Sequence, residues 1–189
     1  MEHRYCAEHR DIMLRPIHED DIEHLRIWRN DEALSFYLRE IPYITPEKQK
    51  EWYENYLNDS DTVFFGIVFG SNLLIGSVAL YNFEDRCCEV GRIVIGDSSF
   101  RGKGYGYKSL ILAMKIGIEQ FNISEFHLDV HENNVAARKI YEKIGFQIVG
   151  KHPFSKGGYE LEMSIPADEY YQRNPEANLI RVFAENNAE

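Results

Sequence analysis

The strongest pattern along this chain is a set of three β-branched and aromatic runs, Thr62–Phe69, 73–83 and Cys87–Ile95, separated by Gly70-Ser71-Asn72 and by Glu84-Asp85-Arg86. Short turn-forming breaks between such runs predict an antiparallel meander. The period then changes. Tyr107, Leu110, Met114, Ile118 and Phe121 recur at spacings of 3, 4, 4 and 3, which predicts a helix with one buried face. Residues 125–131 read as the next strand. Ala137, Ile140, Tyr141 and Ile144 mark a second amphipathic helix over 134–144, which Gly145 stops. Residues 146–149 and 159–165 read as two closing strands joined by a loop containing Pro and Gly.

Upstream the signal is weaker. Ile12–Pro16 predicts a short first strand, and Asp20-Asp21 place carboxylates at the start of a helix carrying Ile22, Leu25 and Trp28. Thr45-Pro46-Glu47 combines a hydroxyl cap, a proline at the first position and an acid in the first turn, so a second helix follows with Trp52, Tyr53, Tyr56 and Leu57 on its apolar stripe. The apolar stretch 34–38 is aperiodic and fits either a further helical turn or a loop over a pocket. The resulting order is strand, two helices, three strands, helix, strand, helix, two strands. It predicts the α+β (mixed α/β) class: one domain over 1–166, with a central mixed, mostly antiparallel sheet of about seven strands flanked by about four helices. Residues 167–189 read as an acidic C-terminal tail with apolar positions at Leu179, Ile180, Val182 and Phe183, for which a helix is one option.

Charge and composition narrow the function classes. A length of 189 residues, 44% hydrophobic and 28% charged, suits one folded domain with a substantial core. A net charge of −10 argues against nucleic acid or an anionic membrane as partner and would draw in a cationic acceptor. The polar N-terminus and the absence of a long apolar run predict a cytoplasmic protein. Cys6, Cys87 and Cys88 are odd in number and lack metal or redox spacing, which predicts reduced thiols.

The stretch with the most chemical content joins the third meander strand to the following helix: Arg101-Gly102-Lys103-Gly104-Tyr105-Gly106. Glycines at alternate positions let backbone N–H groups approach a ligand, and a helix start adds unpaired donors, so the stretch predicts a phosphate loop. The nucleoside triphosphate pattern fails, because Gly96 and Gly102 enclose five residues and Gly104 follows Lys103 where Ser or Thr is required. The dinucleotide pattern fails at Tyr107, where its third glycine belongs. What remains resembles the acyl-CoA pyrophosphate loop of the GNAT N-acetyltransferase superfamily, Arg/Gln-x-x-Gly-x-Gly/Ala, which Arg101, Gly104 and Gly106 match. A second segment, Asn134-Val135-Ala136-Ala137-Arg138-Lys139-Ile140-Tyr141-Glu142-Lys143-Ile144-Gly145-Phe146, is similar to that family's Asn-x-x-Ala-x-x-x-Tyr-Glu-Lys-x-Gly-Phe.

The resemblance implies an acetyl-CoA-dependent N-acetyltransferase. It implies that the backbone of Ile93, Val94 and Ile95 pairs with the pantetheine arm, and that the N–H groups of Arg101, Gly102, Lys103, Gly104, Tyr105 and Gly106 receive the pyrophosphate. Asn134 would hold the cofactor and also cap its helix. Tyr141, otherwise a core aromatic, would protonate the CoA sulfur, since a phenol with a pKa near 10 can donate to a forming thiolate. For the base, Glu89 comes first and Asp129 second. His127, Asp129 and His131 share a strand face and read as a solvated or acceptor-facing strand end rather than a metal site, with His131 a candidate proton relay. The partners implied are acetyl-CoA and an amine-bearing acceptor, with a homodimer allowed. Ile27-Trp28-Arg29-Asn30-Asp31 and the helix at Thr45 are similar to the branch containing ribosomal-protein N-terminal and amino-sugar nucleotide acetyltransferases. A small amine, amino sugar or sugar nucleotide leads, followed by a protein N-terminus and by a polyamine or aminoglycoside. A non-catalytic acyl-CoA-binding module is the alternative of a different class.

Overall fold

A computed structural model describes residues 2–35 and 42–185. The chain begins with β1 (Tyr5–His9), β2 (Ile12–Pro16), α1 (Ile22–Asn30), α2 (Glu32–Ser35), α3 (Pro46–Asn58), β3 (Thr62–Phe69), β4 (Leu73–Glu84) and β5 (Cys87–Ile95). It continues with α4 (Tyr105–Phe121), β6 (Glu125–His131), α5 (Val135–Ile144), β7 (Gln147–Pro153), β8 (Tyr159–Pro166), α6 (Ala167–Arg173) and β9 (Arg181–Ala184). The strands form one sheet in the order β7-β8-β6-β5-β4-β3-β2-β1-β9. Every neighbouring pair is antiparallel except β5 with β6.

The sheet has nine strands rather than about seven. The two additional ones are β1 and β9, too short and too mixed in polarity to carry a strand signal alone. β1 is held as a hairpin with β2 through a tight turn in which Arg10 adopts φ 57°, a left-handed conformation that costs a non-glycine residue about 1 kcal/mol. That strain is offset by anchoring. Asp11 accepts the Tyr105 hydroxyl and the Lys108 ammonium, each at 2.8 Å, so the turn is fastened to the start of α4. β9 then pairs with β1 and extends the sheet edge. The segment 36–38, the later part of the aperiodic stretch, lies outside the described residues, while Glu32–Ser35 is helical.

α4 also differs from its sequence pattern. Only one face was predicted buried, yet Leu110, Ile111, Leu112, Ala113, Met114 and Ile116 are all buried, while Tyr107, Ile118 and Phe121 are only partly so. The helix lies on the sheet with the C-terminal segment across its back. The Tyr170 hydroxyl donates to the Ile111 carbonyl at 2.7 Å, and the Tyr107 hydroxyl of α4 donates to Asn174 Oδ1 at 2.8 Å. A helix covered on both sides needs an apolar circumference rather than a stripe.

The opposite sheet face is covered by α1 and α3, whose Leu25, Trp28 and Tyr56 pack with Ile17, Phe64, Ala79 and Val94. β3 lies between the two helical layers, which explains its unbroken apolar run: from Thr62 to Val68 every residue is buried. Burying Phe64 and Phe65 alone contributes about 2–3 kcal/mol each.

The feature that prepares a site is the junction of β5 with β6. Their parallel ladder lasts three residue pairs, Cys87 with Glu125, Cys88 with Phe126 and Glu89 with His127. Beyond Glu89 the two strands no longer pair, so the β6-facing N–H and C=O groups of β5 from Val90 onward have no ladder partner there.

Candidate active site

The glycine loop lies at the end of this opened strand. Gly102 and Gly104 adopt φ 71° and 84°, and a Cβ at either would meet nothing within 4 Å. Both therefore need glycine for conformation and face open space. Gly104 is the N-cap of α4, so the first unpaired N–H groups of a 17-residue helix point into that space. Gly106 has another role: its Cβ would press on Ile140 Cδ1 at 3.3 Å, where α4 meets α5.

Arg101 is turned back on the strand. Its Nε donates to the Ile95 carbonyl at 2.9 Å and its Nη2 to the Gly96 carbonyl at 2.6 Å. Much of its guanidinium thus holds the loop in shape. Tyr105 also contributes little side chain to the loop's open side, because its ring packs on Phe69 and Phe100 and its hydroxyl is bound to Asp11. The Lys103 ammonium stands 6.0 Å from the Phe100 ring, and Lys108 is paired with Asp11. Asn134 is the N-cap of α5, its Oδ1 accepting the Ala137 N–H at 3.2 Å.

Tyr141 is 6% exposed and its ring packs edge-on against Phe146. Burial pushes its phenol up to about 12, so it stays protonated at neutral pH. Its hydroxyl makes no hydrogen bond among the described residues and is a donor without an acceptor. Tyr81 of β4 connects it to the other charged groups. Burial, then the Glu89 charge and more weakly Tyr141, push the Tyr81 phenol up, while the Arg92 guanidinium lies 4.1 Å over its ring.

Two hollows lie near Tyr81, one containing its cross-strand neighbour Glu89 and the other Arg92, whose guanidinium covers its ring. The first, about 700 Å³, includes Glu84, Asp85, Glu89, Asp129 and Glu162 and is bordered by His127. Glu89 Oε1 accepts the Asn82 amide at 2.6 Å. The Asp129 carboxyl is pushed up by burial, which is reinforced by Glu160, Glu89 and Glu162 and opposed by His152. Glu89 and Asp129 are thus brought together. The third member of the strand-face trio is not: His131 Nδ1 accepts the Asn133 N–H at 3.2 Å and its Nε2 is 3.1 Å from the Gly157 carbonyl, with its ring edge-on to Phe154. His131 therefore braces the β7–β8 loop rather than the cleft. Asp129 instead has ligand-type atoms of His152 and Glu160 within 4.8 Å, and His152 hydrogen-bonds Glu160 and Glu162.

The second hollow, about 530 Å³, lies under α1 and α3, lined by Trp28, Trp52, Phe64 and Val94 and by three cations, Arg29, Lys48 and Arg92. Its entrance is built by the end of α1, where four successive residues take four roles. Trp28 packs so closely on Gly96 that a Cβ there would lie inside the indole. Arg29 lines the hollow. Asn30 accepts the Ile44 N–H and donates to its carbonyl, both at 2.9 Å. Asp31 stands 3.8 Å from Arg101. Arg29, Arg92 and Asn82 were missed as site residues, although Trp28-Arg29-Asn30-Asp31 was the signal that could have pointed to the first.

Residues 11–147 match the family model described as "Acetyltransferase (GNAT) domain". This chain belongs to the GNAT acetyltransferase family. As a GNAT acetyltransferase it is an acyltransferase whose acetyl donor is acetyl-CoA. Escherichia coli spermidine N(1)-acetyltransferase is 26% identical over 150 residues, covering 78% of this chain and 80% of that protein. An uncharacterized protein of Methanocaldococcus jannaschii is 27% identical over 162 residues, 83% of this chain, but the chain spans only 32% of its length. Among solved structures, Vibrio cholerae spermidine N-acetyltransferase in complex with CoA and spermine has a TM-score of 0.77 at 24% identity, covering 85% of this chain and 98% of that one. That likeness establishes the GNAT fold. Among the described residues, no helix is long and apolar enough to cross a membrane.

Proposed function

We propose that this GNAT acetyltransferase acetylates the primary amine of a small acceptor, a simple amine, amino sugar or sugar nucleotide, in a direct ternary complex. The observation that carries this reading is the parting of β5 from β6 after Glu89, beside a glycine loop at a helix start and a buried, protonated Tyr141. The open space over Gly102 and Gly104 fits a pyrophosphate, with the N–H groups of residues 101–106 as donors. On the side of β5 that β6 leaves, the backbone of Ile93, Val94 and Ile95 fits an extended amide-bearing arm added as a strand, apart from the Ile95 carbonyl that Arg101 already occupies, and Asn134 at the head of α5 is the side chain assigned to hold that arm.

When bound, acetyl-CoA supplies an acetyl thioester. Tyr141 holds a proton on its phenol oxygen and can release it to a sulfur at the gap. Glu89, held by Asn82, or Asp129, whose raised pKa suits proton uptake, takes the proton from the incoming ammonium. With both an acid and bases beside the opening, the chain reads as an enzyme rather than a CoA-binding module. No separate observation favours a protein N-terminus. A polyamine is the second reading, favoured by the acidic cleft and by the names of the spermidine-acetylating relatives.

The test is CoA release with a panel of amines. The wild type is expected to turn over at least one small primary amine, and Tyr141→Phe to lose about 10²–10³-fold in kcat with acetyl-CoA affinity within about twofold. Full activity of Tyr141→Phe would remove this residue from the reaction, and silence toward every amine would favour the binding module.

A further inference from the structure

The hollow under α1 and α3 has chemistry that acetyl transfer to an amine does not require. Arg29 and Arg92 both line it beside Trp28, Trp52 and Phe64, and among the described residues neither guanidinium has a carboxylate within ion-pair distance. Among those residues, no Asp or Glu lines the hollow. Burial, followed by repulsion from Arg92, pulls the Arg29 guanidinium below its usual pKa. Arg29 is half-buried and Arg92 exposed at the rim, and bringing the two like charges together beside aromatic walls is unfavourable unless something else offsets it.

The backbone carries a second sign of the same design. Arg92 adopts φ 49°, left-handed for a non-glycine residue, in a bulge where Ser77–Ala79 of β4 oppose Gly91–Val94 of β5. Regular alternation would put Arg92 with Cys88 and Val90 in the α4 core. The bulge turns it to the other face, over Tyr81 and into the hollow. Strain of about 1–2 kcal/mol is therefore spent to place a second guanidinium beside the first.

We infer that Arg29 and Arg92 form an anion-binding subsite, so that the acceptor carries a phosphate or carboxylate group in addition to its amine. This rests on the acetyl-transfer reading and specifies its substrate class. Guanidinium forks suit either oxyanion, and the aromatic walls suit the ring or chain between the two ends of the acceptor. The acceptor is then bipolar: its ammonium meets Glu89 and Asp129, and its anion meets the two arginines. A polyamine would place a second ammonium against two guanidinium groups.

The experiment uses the full chain with CoA saturating the glycine loop, so that anions report on the hollow. Glucosamine, glucosamine 6-phosphate, an α-amino acid and spermidine are compared, by calorimetric binding with CoA and by kcat/KM with acetyl-CoA. The phosphate ester or the amino acid is expected to exceed glucosamine and spermidine by at least about tenfold, and the better of the two identifies the oxyanion. Arg29→Met should raise the KM of the anionic acceptor about 10–100-fold with kcat within about twofold, Arg29→Lys should recover part of the loss, and the KM of glucosamine should not move. Thermal melting keeps the test readable: Arg29→Met should melt at or above the wild-type temperature, because an unpaired, half-buried charge is gone, and should lose the stabilisation that the anionic acceptor gives the wild type. Preference for glucosamine or spermidine, or an anion-induced melting shift that survives Arg29→Met, overturns the subsite. Failure of every amine to turn over, with anion binding still dependent on Arg29, would overturn acetyl transfer and leave the subsite standing.

Discussion

The acidic cleft holds Glu89, the cross-strand neighbour of Tyr81, and the basic hollow holds Arg92, which covers the ring of the same tyrosine, yet the two differ in how they are built. The cleft follows regular strand geometry. Glu89, His127 and Asp129 point away from α4 because Cys88, Val90, Phe126 and Leu128 point toward it. Its carboxylates accumulate where a sheet face lacks a helix. The hollow depends on exceptions: a bulge at Arg92, a helix pressed onto Gly96, and an arginine left without a carboxylate partner among the described residues. A solvated acidic face is inexpensive and weakly selective, whereas a partly desolvated cationic pocket is costly and therefore selective.

Three substitutions separate the two regions, and the largest effect is structural. Gly96→Val would force Trp28 off β5, with a predicted loss of about 3 kcal/mol in chemical denaturation and loss of the hollow. The acidic cleft should keep its geometry. If Gly96→Val disturbed both regions equally, they would not be independent units. Next is Glu89→Gln, which keeps the Asn82 contact but removes the charge. A fall in kcat of about 100-fold with anion affinity unchanged would place proton transfer in the cleft and acceptor anchoring in the hollow, and loss of both together would merge them.

The smallest effect tests the cleft's electrostatics. Asp129 has a folded-state pKa above its unfolded value, caused first by burial and then by neighbouring carboxylates. Such a group binds its proton more tightly when folded, so its ionised form opposes folding at neutral pH. That penalty is relieved as pH falls through the folded pKa and is absent below the unfolded value near 4. Asp129→Asn should therefore raise the melting temperature at pH 7 by about 1–3 °C and make no difference near pH 3. A lower melting temperature at pH 7 would show that the Asp129 charge is compensated rather than crowded.

Much of this architecture could be read in advance where local pattern and tertiary demand agree. The meander, α5 with its Asn134 cap and Gly145 stop, and the glycine loop ahead of α4 depend on signals within a few residues. β1 and β9 were illegible because β1 depends on its hairpin with β2 and the Asp11 anchor, and β9 on the edge that β1 then offers. The burial of the middle of α4 depends on Tyr170 and Asn174, which meet Ile111 and Tyr107 from a tail about 60 residues downstream. In the site, Tyr141 stood out through its motif, but the diversion of Arg101 and Tyr105 to structural contacts did not, because a guanidinium or phenol offers no sign in sequence of which carbonyl or carboxylate it will meet.

The sequence by itself determined the family and the acetyl donor, and it marked the open glycine loop ahead of α4, because backbone access and a helix start are local properties that glycine spacing encodes. The tertiary structure decided which charges line the hollow under α1 and α3. Alternation along β5 assigns Arg92 to the core; the bulge against β4 moves it to the opposite face, where Arg29 arrives from α1, and neither event is visible without the partner strand and the helix that oppose them. Charge on a side chain is written in the sequence, but the direction in which a strand points it is set by the register of its neighbour.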